Sequence, residues 1–192
     1  MQIKNWKKEI FTIPNLLSLF RLALIPVYIA IYLNAHEAAD YFLAGGILAV
    51  SCLTDLIDGK IARKFNMIST LGKILDPIAD KATQFTLIIC LAIRHPALWH
   101  LVALFVVKEG FQGIAGLVNL KRGRMLPGAL MPGKVCTTVL FISLILMVLL
   151  PGLSEQVIDI IVIIDAVFMI VSFISYILAY FGKDKKVQDL EN

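Results

Sequence analysis

Along this chain the polar residues gather in short clusters and leave long apolar blocks between them. Six blocks, at about 15–33, 41–62, 74–93, 98–119, 134–150 and 156–181, approach the ~20 mostly apolar residues that a membrane-crossing helix needs. The breaks between them are chemically marked. Asn34-Ala35-His36-Glu37 ends the first block, His95-Pro96 separates the third from the fourth, and Pro151-Gly152 follows the fifth. Lys121 to Gly133 carries three basic residues, two prolines and three glycines, a composition that cannot continue a helix. The pattern predicts an all-α polytopic membrane protein with six transmembrane helices, residues 1–192 forming one membrane domain. The second and third blocks hold charges that a plain hydropathy count would penalise.

Composition agrees. Apolar residues make up 59% of the 192 and charged residues 17%, with a mean hydropathy of +0.84. A soluble domain averages roughly 45–50% apolar and about 25% charged. Disordered, fibrous and ordinary water-soluble readings are excluded. Cys52, Cys90 and Cys136 lie far apart in apolar stretches, with no metal-ligand spacing, and read as small packing residues.

The net charge of +4 comes from 18 basic and 14 acidic residues. So apolar a chain has little aqueous surface for a nucleic-acid groove, and no nucleic-acid partner is expected. The excess suits orientation in the bilayer and attraction to anionic lipid or phosphate. With both termini on the cytoplasmic side, only Arg94 of the 18 basic residues falls on or next to the opposite side. That bias predicts an N-in, C-in arrangement in the cell (inner or plasma) membrane. Residues 1–12 mix Trp6, Ile10 and Phe11 with Lys4, Lys7 and Lys8, the pattern of a short amphipathic helix lying in the interface. Met1 to Pro14 lacks the apolar run and small-residue cleavage site of a signal peptide.

Intramembrane charges are costly and mark function. Here they concentrate in one block that contains Asp55, Asp58, Gly59, Ala62, Arg63, Gly72, Asp76, Asp80 and Lys81. Asp55 and Asp58 are three apart and Asp76 and Asp80 four apart, so each pair shares a helix face. A tight turn between the second and third helices would gather all four carboxylates. Such a cluster repels itself unless cations bind, and all-oxygen ligands favour a hard ion such as Mg²⁺ or Mn²⁺. Two such metals are a standard device for in-line displacement at phosphorus. Gly59 and Ala62, each four residues after an aspartate, clear space on the same face.

The stretch from Asp55 to Asp80 fits D-x2-D-G-x2-A-R-x8-G-x3-D-x3-D at every defined position. On that pattern the chain resembles the CDP-alcohol phosphatidyltransferase family, which has six transmembrane helices. The resemblance implies transfer of a substituted phosphate from a CDP-linked lipid or alcohol to an acceptor hydroxyl, with release of CMP. It implies two divalent cations on Asp55, Asp58, Asp76 and Asp80, with Asp80 also the base on the acceptor. It implies CDP-lipid contacts at Gly59, Ala62, Arg63, Ser69 and Gly72, joined by Asn15, Ser18 and Arg21 of the first helix, and a homodimer in the lipid bilayer.

The first helix and the Gly133-Lys134 start of the fifth look like the bacterial branch that joins CDP-diacylglycerol to glycerol 3-phosphate. Lys108-Glu109-Gly110-Phe111 and the loop Lys121-Arg122-Gly123-Arg124 depart from that branch, leaving other acceptors open, among them phosphatidylglycerol, serine and inositol phosphate. A phosphate-bearing acceptor needs cations beside the site, and Lys134, Lys108, Arg122 and Arg124 are the candidates. Lys134 leads, because amide groups at a helix start also favour anions. Neighbours on a helix do not face each other, so Lys108 and Glu109 should each need a further partner. A cation transporter is the competing class; its sites lie at the midplane, whereas these aspartates lie toward one face. His36, His95 and His100 read as interfacial. Asp165, deep in the sixth helix, reads as bonding a neighbouring helix or lining a dimer interface.

Overall fold

The computed structural model describes residues 12–64, 72–122, 124–125, 129–181 and 188–189, with backbone alone at 13–14, 55–56, 58–64, 72–74, 124–125 and 188–189. The helices are α1 (Ile13–Leu33), α2 (Ala38–Lys64), α3 (Gly72–Arg94), a 3₁₀ turn (Pro96–Leu98), α4 (Trp99–Lys121), α5 (Met131–Leu149) and α6 (Glu155–Phe181). Each expected apolar block is a helix, with ends shifted by a few residues. The expected amphipathic segment at 1–12 lies, but for Thr12, outside the described residues, as does Ser69. Four helical stretches are long and apolar enough to cross a membrane: Asn15–Leu33, Pro96–Lys121, Met131–Leu149 and Glu155–Phe181. In α2 only Ala38–Thr54 is comparably apolar; the aspartates and basic residues that follow lower the remainder.

The chain forms two compact units. The first comprises Met1–Cys90 with Val148–Pro151, the second Leu91–Met147 with Gly152–Asn192. In the first, α1 packs along α2. The face of α1 that points inward carries Asn15, Ser18, Arg21, Tyr28 and Tyr32, all at most 2% exposed, while Leu16, Leu19, Phe20 and Val27 face outward. Polar side chains inside and leucine outside is the arrangement that hydrocarbon demands. Near the far end Tyr32 stacks on Tyr28 and meets Tyr41 of α2 edge-on, with ring centres 5.6 and 5.9 Å apart.

The start of α2 comes three residues before the first apolar block position because Asp40 caps it. Its Oδ2 accepts the backbone N–H groups of His36 and Glu37 at 3.0 and 3.1 Å, the reciprocal half of a capping box.

In the second unit α4 packs against α6. Phe111 is the hub, its ring meeting Phe173 edge-on at 5.2 Å and lying 6.4 Å from Tyr180. Gly133 lets α5 approach α6 closely: a Cβ there would stand 2.7 Å from the Tyr176 hydroxyl oxygen. The start of α5 at Met131 also precedes the expected position, 134. Pro132 and Gly133 read as loop residues, yet proline is well placed in a first helical turn, where no intrahelical N–H is needed.

One feature departs from the all-α expectation. Arg124–Met125 (β1) pairs antiparallel with Gln188–Asp189 (β2), Arg124 opposite Asp189. Two residues carry too little periodicity to be read from sequence.

The Asp40 contacts, the His36 amide foremost, hold its carboxyl below the ordinary value of 3.8. A depressed folded value means the cap stabilises above 3.8 and is lost as pH falls through the lower folded value. Hydrogen exchange at His36, Glu37 and the following turn should therefore be faster in Asp40→Asn than in the unmodified protein at neutral pH. The difference should vanish in acid.

Candidate active site

The central acidic residues lie in the first unit. Asp55 and Asp58 fall toward the C-terminal end of α2, where the unbroken helical backbone puts residues three apart on one face. Their side chains, and those of Gly59, Ala62, Arg63 and Gly72, lie outside the described residues. Asp76 and Asp80 stand on successive turns of α3, which starts at Gly72 and carries Pro77 between them. Pro77 cannot donate to the carbonyl of Lys73, which loosens the helix at the aspartates.

Here the structure adds what the sequence did not indicate. Ser18 Oγ of α1 donates to Asp76 Oδ1, and Arg21 Nη1 donates to Asp80 Oδ1 at 2.5 Å. The Arg21 side chain is 2% exposed and that of Asp80 46%. Asn15, Ser18 and Arg21, expected among the CDP-lipid contacts, are thus buried residues of α1, and two of them grip the second aspartate pair. Arg21 also borders a small, largely apolar crevice whose walls include Leu24, Tyr28, Ile47, Ser51, Thr83 and Leu87.

Sequence reading also passed over Gln84. It follows Asp80 by one turn in the same row of α3, is 3% exposed, and its Oε1 has no hydrogen-bond partner among the described residues. The signal was available: a glutamine four residues past an aspartate, entering an apolar run. Among the described residues no group of three or more His, Cys, Asp or Glu gathers as a metal site. The donor chemistry of the second pair fits a hard cation. Both ligands it offers are carboxylates, each held by a hydrogen bond from α1, and the Asp80 side chain is half open.

The candidate acceptor cations lie in the second unit. Lys134 is exposed, but its amide is bonded to the carbonyl of Leu130 at 3.1 Å, because α5 begins three residues earlier. The expected help from a helix-start amide is therefore absent at that residue. Arg122 is exposed at the end of α4, and Arg124 lies in β1. Lys108 is 3% exposed and donates directly to Glu109 Oε1 at 2.6 Å. Neighbours on a helix do not face each other, yet these two side chains are long enough to bend together across the helix surface, so the two charges compensate each other directly. Asp165 is 1% exposed and accepts the Ser143 hydroxyl of α5 at 3.0 Å, so it does bond a neighbouring helix. At the other end of this unit His95 Nδ1 lies 3.2 Å from Glu155 Oε1.

The CDP-alcohol phosphatidyltransferase family model matches residues 11–178, and the chain belongs to that family, the membrane-embedded transferases of phospholipid biosynthesis. It is 39% identical over 123 residues, 63% of its length, to a cardiolipin synthase (CMP-forming)/mitochondrial hydrolase fusion protein of Schizosaccharomyces pombe, covering 19% of that protein. It is 31% identical over 145 residues to a probable phosphatidylglycerophosphate synthase of Mycobacterium tuberculosis, covering 74% of this chain and 68% of the other. Over 80 residues, 41% of this chain and 43% of the other, it is 42% identical to a CDP-diacylglycerol–glycerol-3-phosphate 3-phosphatidyltransferase of Rickettsia bellii.

Removing one member of a buried ion pair strands its partner, whereas replacing both is often nearly neutral. Lys108→Met should therefore destabilise the protein by about 3 kcal/mol, and the double variant Lys108→Met/Glu109→Met by much less. Thermal unfolding in one detergent reads the difference.

Proposed function

We propose that this chain transfers the phosphatidyl group of CDP-diacylglycerol to sn-glycerol 3-phosphate, giving phosphatidylglycerophosphate and CMP. The carrying observation is the intact motif, its second aspartate pair standing in one row of α3. In this reading the protein is a single membrane domain with six spans, both termini and the active site on the cytoplasmic side of the plasma membrane, and it works as a homodimer. Asp55, Asp58, Asp76 and Asp80 hold two divalent cations, Mg²⁺ or Mn²⁺. Bound there, the cations supply positive charge to the pyrophosphate and the departing CMP.

The chain's own groups do the rest. Gly59, Ala62 and Gly72 leave room for the cytidine end, with Arg63 and Ser69 contacting it. Asp80 takes the proton of the acceptor hydroxyl, whose oxygen attacks the phosphorus that bears diacylglycerol. The bond from that phosphorus to the bridging oxygen breaks, and CMP leaves with the electron pair. Lys134, with Arg122 and Arg124, offsets the charge of the acceptor phosphate, and Lys108 supports them through its pair with Glu109.

A second reading keeps the chemistry and changes the acceptor to phosphatidylglycerol. The Schizosaccharomyces pombe relative favours it, since its name is that of a cardiolipin synthase. An assay of purified protein with CDP-diacylglycerol and a panel of acceptors, following CMP release, decides between the two. Phosphatidylglycerophosphate formation from glycerol 3-phosphate is the expected result, and preference for phosphatidylglycerol overturns the choice of acceptor.

Activity should vanish in EDTA and in Asp55→Asn and Asp58→Asn. Asp80→Asn should abolish turnover even where CDP-diacylglycerol still binds. Lys134→Ala should raise the KM for glycerol 3-phosphate roughly ten- to a hundredfold, the weight of one charge-assisted contact. Arg122→Ala and Arg124→Ala should have smaller effects.

A further inference from the structure

Ser18 and Arg21 lie outside the motif, on a different helix, yet each reaches a carboxylate of the second aspartate pair. We propose that they are positioning residues: Arg21 is a built-in counter-cation that fixes Asp80, and Ser18 fixes Asp76, so that α1 sets both carboxylates before substrate arrives. This rests on the divalent-cation reading of the aspartates given above.

Three observations support the assignment. Ser18 and Arg21 are one turn apart on α1, as Asp76 and Asp80 are on α3, and the two contacts ascend both helices in the same direction. Two ties on successive turns fix the rotation of one helix against the other as well as two side-chain rotamers. Exposure then separates the roles. Arg21 is 2% exposed and stands behind a carboxylate that is 46% exposed, so Asp80, rather than Arg21, presents a face to incoming groups. Lastly, the crevice beside Arg21 is walled largely by apolar groups, Leu24, Ile25, Ile47, Leu48 and Leu87 among them, and by no carboxylate. A guanidinium buried this far into an apolar helix needs an anion, and among the described residues Asp80 is bonded to it.

The two residues should act on cation binding with opposite sign. Arg21 carries positive charge against Asp80 and so competes with a divalent cation for it, while the neutral Ser18 only orients Asp76. Full-length protein in detergent is titrated with Mn²⁺, followed by electron paramagnetic resonance, and melted in EDTA and in saturating Mn²⁺. Arg21→Met should bind Mn²⁺ about tenfold tighter. It should melt about 2–4 °C lower in EDTA and recover most of that loss in Mn²⁺. Ser18→Ala should bind Mn²⁺ about threefold more weakly, because Asp76 loses the contact that orients it. Arg21→Lys, which keeps the charge, should lie between Arg21→Met and the unmodified protein.

Nonspecific damage would weaken binding in both variants, and that result overturns the assignment. So does unchanged Mn²⁺ affinity in Arg21→Met and Ser18→Ala alongside a raised KM for CDP-diacylglycerol, which would make them lipid contacts. If Arg21→Met does not fold, Arg21→Lys and Ser18→Ala carry the same opposite-sign test. Failure of the unmodified protein to bind Mn²⁺ would instead overturn the cation reading itself.

Discussion

A guanidinium held two turns inside an apolar helix dictates what stands opposite it. Arg21 can be buried only with an anion in reach, and Asp80, two turns inside α3, supplies it at 2.5 Å. The matching depths leave little freedom in how far α3 slides along α1, and the Ser18–Asp76 contact one turn away removes the remaining rotation. The geometry of the Asp80 carboxylate and the packing of two helices are thus one constraint. Disturbing either disturbs both.

The same logic recurs in the second unit. Between helices in lipid, apolar surface gives little preference for protein over hydrocarbon, so close approach and polar ties decide the packing. Gly133 permits the approach to Tyr176, whose hydroxyl also accepts the Leu130 amide at 3.3 Å. Ser143 and Asp165 tie α5 to α6 farther along. Asp165 Oδ2 and Ser172 Oγ have no hydrogen-bond partner among the described residues, which marks the interior of α6 as polar beyond the Ser143 contact.

What the sequence made legible was what repeats along one helix. Apolar blocks set the helices, and the spacing of Asp55, Asp58, Asp76 and Asp80 set shared faces. What it hid were meetings between helices. Ser18 and Arg21 stand in a conspicuous row with Asn15, but nothing in their spacing says whether they face a nucleotide or a carboxylate; the packing of α1 against its neighbours decides that. Local chemistry fell short in two places. Pro132 and Gly133 read as loop although proline suits a first turn, and backbone position alone does not tell whether Lys108 and Glu109 meet, since the length of their side chains is what decides it. The β1–β2 pair joins residues more than sixty positions apart through backbone groups alone, which leave no mark in side-chain chemistry.

The helices of the second unit differ in length. At about 1.5 Å per residue, the 19 residues of α5 reach about 28 Å and the 27 of α6 about 40 Å, against a hydrocarbon core of about 30 Å. Because Ser143–Asp165 and Gly133–Tyr176 lock the pair in register, α6 cannot shift to absorb the difference. The shorter helix then fixes the bilayer thickness at which the unit is unstrained, and the excess of α6 must tilt or project into the headgroups. A thicker, sterol-like membrane would stretch the fit at α5 before that at α6, so of this pair the short helix is the one that senses bilayer thickness.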